Sequence, residues 1–470
     1  MRKIKLSLIN LIIINFIILL ISSIIRHRLF QSNALDLGWF DQGVYLISQG
    51  KNPIISFVDY HILGDHAAFI LYPIALLYKI YNSVYWLLAI QALALSLGAF
   101  PIYQLSLQAD LKHKIAITLS TAYLLYPLIF NVNLFDFHPD VIAVPALLWA
   151  VLAARSNSII GFLVAIVIVL SCKAIFSLTV AAMGIWLLLF EKKRLYGSIA
   201  IILGIAWFIL STQVIIPILT GNDAAIEMAD SRYSYLGNSV GEIIKNIFLK
   251  PNLILGKLFS LANLEYIIFL FIPVIWGLSP RYLSPLIAAI PTLALNLITD
   301  YLPQKNLTNQ YSLTIIPFLF IAVIATEAAG KGWLKRPKYI ILWSLVAFIA
   351  LAKYGYFGSI YLKTLDTWQA TQKAVSLVNT SGGVLTNSAI APHLTHRPLV
   401  KLAIQGSETL DLKQFDHILL NKRHPGWSSS PELIQQFITR LEQIPEFKLT
   451  YQQDEVFLYQ KSLNITRKKF

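Results

Sequence analysis

Three short stretches of this chain hold the residue types that could do chemistry. The first is Asp36-Leu37-Gly38-Trp39-Phe40-Asp41-Gln42-Gly43, with Gly50 a little further on. The second is Asp59-Tyr60-His61-Ile62-Leu63-Gly64-Asp65-His66, and the third is Phe135-Asp136-Phe137-His138-Pro139-Asp140. Asp36 and Asp41 stand among Leu, Trp and Phe, a setting that raises a carboxyl's proton affinity and suits proton abstraction, or else demands a cationic partner. A lone loop carboxylate is most often simply solvated, so the density of these groups is the signal. His61, Asp65 and His66, with Asp36, are candidate ligands for a divalent metal such as Mg2+ or Mn2+. They serve equally well as a cap on an apolar helix starting near Ala67, where Asp65 favours the helix N-terminus. Asp136 and His138 suit a polar site or a tight turn at the mouth of a span.

Two cations and two phenols complete the set. Lys173 interrupts two apolar runs, where an ammonium either snorkels to the interface or holds an anion. Arg232 lies in Asp230-Ser231-Arg232-Tyr233-Ser234-Tyr235-Leu236-Gly237. With Tyr235 it suits a phosphate or a sugar, or alternatively the headgroup layer of a bilayer. Tyr311 closes Asn309-Gln310-Tyr311, a cluster of amide and phenol donors.

Something must position these residues, and the composition says what. Of 470 residues, 56% are hydrophobic and 13% charged, with 38 Lys and Arg against 24 Asp and Glu. Ordinary globular proteins carry about 25% charge, so a soluble enzyme and a nucleic-acid binder are excluded. A single cysteine, Cys172, excludes a disulfide framework and a cysteine-built zinc site. The remaining class is an all-α polytopic membrane bundle.

Runs long enough to cross a bilayer are expected at Leu6–Ile25, Tyr85–Leu105, Ile115–Phe130, Val141–Ala154, Ile159–Cys172, Ala174–Phe190, Leu195–Ile216, Leu264–Ser279, Tyr282–Ile298, Ser312–Thr326 and Tyr339–Ala352. Arg26-His27-Arg28 follows the first run where a cleavage site would be, so this run reads as a retained span. Ala67–Ile80, with Pro73 and Lys79, reads as a re-entrant or interfacial helix. Eleven spans put one set of short connections on the same side, with 14 Lys and Arg against 3 acids. The opposite connections are longer and hold 10 against 12. The positive-inside rule makes the first set, and the N-terminus, cytoplasmic. Residues 1–356 are thus expected to be a transmembrane domain with a long first outer loop at 26–84.

From about residue 357 the pattern changes to a small α/β domain on the extracytoplasmic side. Strands are expected at 382–386, 398–402 and 417–421, a helix at Pro431–Ile444, and a hairpin of 449–452 with 456–460 across Asp454-Glu455.

Taken in order, Asp36-Leu-Gly-Trp-Phe-Asp41-Gln42, Gly64-Asp65-His66, Gln91, Asp136-Phe-His138-Pro139, Tyr235-Leu236-Gly237, Ser279-Pro280 and Ala391-Pro392-His393-Leu394-Thr395-x-Arg397 resemble a domain-of-unknown-function family of bacterial and archaeal multi-pass membrane proteins. That family in turn resembles the GT-C superfamily of integral-membrane glycosyltransferases. The resemblance implies a multi-span bundle, a sugar donor carried on polyprenyl phosphate, and an acidic catalytic residue in the first outer loop. Asp36, about four helical turns before Gly50, fits that residue better than Asp41. Gln42, Asp136, His138 and Tyr235, inside the motifs that carry the resemblance, are expected to bind substrate, as are Lys173, Arg232 and Tyr311 from their own chemistry. The chain departs at Lys173-Ala174-Ile175, where related sequences carry Lys-Glu and another polar residue, so the partner of Lys173 is missing from that motif.

The expected function is therefore an inverting transfer of a sugar from a polyprenyl-phosphate donor to an extracytoplasmic glycan, lipid or protein acceptor, with no nucleic acid involved. A lipid-linked sugar flippase would be expected to show charges inside spans and internal symmetry. A non-enzymatic scaffold would scatter its loop acids, whereas these gather in two loops.

Overall fold

The computed structural model describes residues 2–220, 232–237 and 240–462. Asp230 and Ser231 of the arginine-tyrosine segment therefore lie outside the described residues. The chain is mostly helical and divides into two compact units. One comprises residues 1–22, 62–71 and 87–353; the other comprises 23–61, 72–86 and 354–470. Most of the first outer loop thus belongs to the same unit as the C-terminal domain.

Among the described residues, four helical segments lying wholly or mostly in the first unit are long and apolar enough to cross a membrane along their own length: Tyr85–Gln108, His113–Phe135, Arg194–Thr220 and Gln310–Ala328. A fifth, Ser7–Arg28, is the first helix of the chain, and a bent pair, Pro251–Leu258 with Leu261–Gly277, turns through 60°. Other expected spans are shorter helices, among them Ile159–Cys172, Phe176–Leu189 and Pro337–Leu351. A 14-residue helix reaches only about 21 Å, against a hydrocarbon core of about 30 Å. Eleven full-length spans are therefore not what the described helices provide. The cause is local. Pro273, Pro280, Pro285 and Pro291 break the 264–298 region into short 3-10 turns between the helices Leu261–Phe271 and Ile290–Ile298. The run at 159–190 breaks at Lys173, whose backbone is extended (φ −162°, ψ 136°).

Where helices do pair, small residues set the distance. A Cβ built on Gly184 would lie 2.7 Å from the Gly197 carbonyl oxygen, and one on Gly197 would lie 2.7 Å from that of Gly184. Helices Phe176–Leu189 and Arg194–Leu210 therefore touch backbone to backbone, the contact that drives helix association in lipid.

The second unit holds all seven strands found among the described residues. β1 (Ile54–Ile55) and β2 (Tyr60–His61) form a small antiparallel ribbon. β3 (Val384–Thr386), β4 (Val400–Leu402), β5 (His417–Asn421), β6 (Phe447–Gln453) and β7 (Val456–Lys461) form one mixed sheet in the order β4-β3-β5-β7-β6. β3 is parallel to both β4 and β5, whereas β5, β7 and β6 are antiparallel. Asp454 and Glu455 take the positive φ values (49° and 62°) that a tight two-residue hairpin needs. Helix Pro431–Glu442 is capped by Ser430 and buries Leu433, Ile434, Phe437, Ile438 and Leu441 against the sheet. The β3–β4 connection carries residues 387–399, including His393, Thr395, His396 and Arg397.

Candidate functional site

The first unit gathers a charged cluster. A single helical turn, Leu63–His66, presents Asp65 and His66, whose side chains meet at 3.1 Å. It is held by backbone hydrogen bonds from Ala174 N–H to the His66 carbonyl (2.8 Å) and from Ile70 N–H to the Ser171 carbonyl (3.0 Å). Those two bonds place the turn beside the break at Lys173. Lys173 Nζ in turn stands 3.5 Å from Asp140 Oδ1.

Across from them, Arg232 is sandwiched by phenols. Its guanidinium carbon lies 4.8 Å from the Tyr301 ring centre and 5.3 Å from that of Tyr311, and Lys173 Nζ lies 5.9 Å from the same Tyr311 ring. Arg232 also reaches Gln304 Oε1 and the Tyr311 hydroxyl, both at 3.4 Å. Among the described residues no carboxylate forms an ion pair with Arg232.

Burial pushes the Asp65 carboxyl up to about 6, against the pull of Lys173, Arg232 and His138. One of its oxygens is buried without a hydrogen-bond partner among the described residues, as is Asp140 Oδ2. Burial holds His66 well below the usual imidazole range, and the nearby Lys173 adds to this. The arrangement is a pair of cations on one tyrosine, faced by a carboxyl that readily takes up a proton. Chemically, it can receive an anion.

Asp136 and His138 lie at the start of helix Asp140–Arg155. Asp136 is buried with φ 98° and ψ 170°, a region that only glycine enters without strain. The amide of Gln91 accepts from His138 N–H (3.2 Å) and donates to the Asn133 carbonyl (3.1 Å), fixing this turn. The His138 ring stacks on Phe135. The Tyr235 hydroxyl donates to the Ile298 carbonyl (2.7 Å), so this phenol anchors its own segment.

Asp36, Asp41, Gln42 and His61 belong to the second unit. Asp36 is half-buried on a π-helical turn, Ala34–Gly38, fused to helix Trp39–Ser48; such turns recur at functional sites. Asn33 caps that turn by accepting from Leu35 N–H. Asp41 is buried and fully engaged. It accepts from the Tyr78 hydroxyl (2.5 Å) and from Thr395, and its carboxylate is 3.1 Å from His396 Nε2. The His396 ring stacks on Tyr45, with centres 5.0 Å apart. Burial lowers the proton affinity of His396, but the charge and hydrogen bond of Asp41 outweigh it and the net shift is upward. Gln42 holds the ribbon to the sheet: it bonds Ser56 and the Arg397 carbonyl, and Ser56 bonds Val400. His61 forms part of β2.

The structure thus brings together Asp65, His66, His138, Lys173, Arg232 and Tyr311, and adds Asp140, Tyr301 and Gln304. Only Asp140, inside the Asp136–Asp140 stretch, stood out in the sequence. Among the described residues no group of three or more His, Cys, Asp and Glu side chains gathers as metal ligands.

The family profile of predicted membrane proteins designated DUF2079 matches residues 26–458, and the chain belongs to that family. No curated protein sequence matches it. Its fold is similar to that of ArnT from Cupriavidus metallidurans bound to undecaprenyl phosphate. The TM-score is 0.53 at 12% identity, over 95% of this chain and 97% of that one. The apo form of ArnT from the same organism aligns with a TM-score of 0.49 at 11% identity, over 94% and 97%.

Proposed function

We propose that this chain is a membrane glycosyltransferase of the GT-C type that moves a sugar from a polyprenyl-phosphate donor to an acceptor hydroxyl. The observation that carries the reading is the pairing of Lys173 and Arg232 on the Tyr311 ring. Two cations in a partly buried, aromatic-lined site suit a phosphate, and Arg232, with no carboxylate within ion-pair distance among the described residues, offers its fork to one. The ArnT-like fold, in a neighbour bound to undecaprenyl phosphate, supports the same donor class.

In this scheme the acceptor oxygen attacks the anomeric carbon while Asp36 takes its proton. The bond from that carbon to the phosphate oxygen breaks, and the electron pair leaves with the polyprenyl phosphate. One displacement inverts the anomeric configuration. Asp65 adds a regulator of charge: with a carboxyl near 6 it becomes protonated as a second anion arrives beside it. Asp41 serves as a hydrogen-bonded anchor in this reading. The reaction takes place on the extracytoplasmic side of a prokaryotic plasma membrane, with the N-terminus cytoplasmic.

The test is binding of polyprenyl phosphate against polyprenol by the purified full chain. Wild type is expected to prefer the phosphate. Arg232→Gln is expected to weaken phosphate binding about tenfold to a hundredfold, the worth of a charge-assisted hydrogen bond. Equal affinity for the two lipids would refute the reading.

A further inference from the structure

A cavity of about 570 Å3 opens on the first unit and shares no lining residue with the Lys173–Arg232 cluster. Its lining is mixed: Phe269, Leu302 and Leu351 are apolar, and Lys305, Asn306 and Lys353 are polar. Leu261, Leu264 and Ile268, on the same helix as Phe269, are exposed apolar residues. That mixture suits the level where a bilayer's chains meet its headgroups. Two lysines and one carboxylate, the exposed Glu265, line the cavity. Lys305 is half-buried and donates to the Leu297 carbonyl (3.2 Å). Burial, and then its neighbour Lys257, pull its proton affinity below the usual lysine range despite Asp300. An added anion would relieve that strain on the ammonium.

We propose that this cavity binds a phospholipid with a net anionic headgroup, its chain along Phe269, Leu302 and Leu351 and its phosphate between Lys305 and Lys353. The site does not depend on the transfer reaction, but it is wired to the cationic cluster. Tyr266, in the cavity wall, accepts from Asn296 (2.9 Å). Asn296 accepts from Gln304 (3.0 Å), and Gln304 accepts from Arg232 (3.4 Å). Lipid occupancy can therefore stiffen the segment that presents Arg232.

The experiment reconstitutes the full chain in phosphatidylcholine nanodiscs with a small fraction of phosphatidylglycerol carrying a photoreactive chain, then maps the labelled peptides. Label is expected on the 261–271, 302 and 351 segments, competed by unlabelled phosphatidylglycerol and not by inorganic phosphate. Each of Lys305→Gln and Lys353→Gln is expected to reduce it about fivefold, the worth of one lysine beside an anionic lipid surface. Leu302→Trp, at an exposed lining position, adds bulk without changing charge and is also expected to reduce labelling. Equal labelling by a photoreactive phosphatidylcholine would overturn the proposal. So would labelling unchanged in the double lysine variant, displacement by inorganic phosphate, or stronger displacement by polyprenyl phosphate than by phosphatidylglycerol.

Discussion

Lys173 Nζ stands 3.5 Å from Asp140 Oδ1, and both side chains are buried. The sequence motif around Lys173 lacks the carboxylate that related chains place next to it, and here a residue 33 positions upstream supplies one. Removing one member of a buried pair leaves the other charge uncompensated, at a cost of about 3–5 kcal/mol. Asp140→Asn is therefore expected to lower thermal stability by that order. Lys173→Met with Asp140→Leu together is expected to cost less than the sum of the single changes. A double-mutant cycle from thermal unfolding in detergent checks this, and additive losses would mean that the pair is not coupled.

Asp65 gives a pH signature. Its folded carboxyl is raised from 3.8 to about 6, so the folded state binds this proton more tightly than the unfolded state. Its contribution therefore becomes more favourable as pH falls through about 6 towards 4, and less favourable as pH rises through the same window. The full swing is on the order of 3 kcal/mol. The stability difference between wild type and Asp65→Asn, followed by thermal shift from pH 7.5 to 4.5, should move in favour of wild type on acidification. A pH-independent difference would contradict the assignment.

The Asp41–His396 contact runs the other way. The imidazole gains proton affinity from Asp41 on folding, so the stability it supplies is complete below the unfolded value of about 6.5. That stability is lost as pH rises through the higher folded value. Asp41→Asn is expected to abolish this loss and, by weakening three hydrogen bonds to a buried charge, to cost about 3 kcal/mol or more at pH 6. Urea or thermal unfolding of both chains at pH 6 and pH 8 distinguishes the cases.

Asp136 holds φ 98° and ψ 170°. Glycine takes that conformation freely, whereas alanine pays the same penalty as aspartate, about 1–3 kcal/mol. Asp136→Gly is thus expected to be more stable than Asp136→Ala by about that amount. Equal stability of the two would mean that the turn relaxes.

Much of this architecture is legible from local pattern. The strands Val384–Thr386, His417–Asn421 and Val456–Lys461 and the helix from Pro431 fall where alternation, turn residues and the Pro start signal put them. What local pattern cannot carry is long-range assembly. Nothing near Asp41 announces Thr395 and His396, some 355 residues away. Hydropathy marked Leu264–Ser279 and Tyr282–Ile298 as spans, but it does not register the backbone N–H groups that four prolines remove. Lys173 stood out because an ammonium is costly between apolar runs. That it shares Tyr311 with Arg232 is a fact of folding alone.

Transfer with Asp36 as base is decided by turnover in a bilayer. The full chain in nanodiscs is supplied with polyprenyl-phosphate sugars and membrane acceptors, and turnover is compared between wild type and Asp36→Asn. Wild type is expected to transfer sugar, and Asp36→Asn to lose about 10²- to 10⁴-fold in turnover with donor binding unchanged. Full transfer by Asp36→Asn, or no transfer by wild type from any such donor, would contradict it.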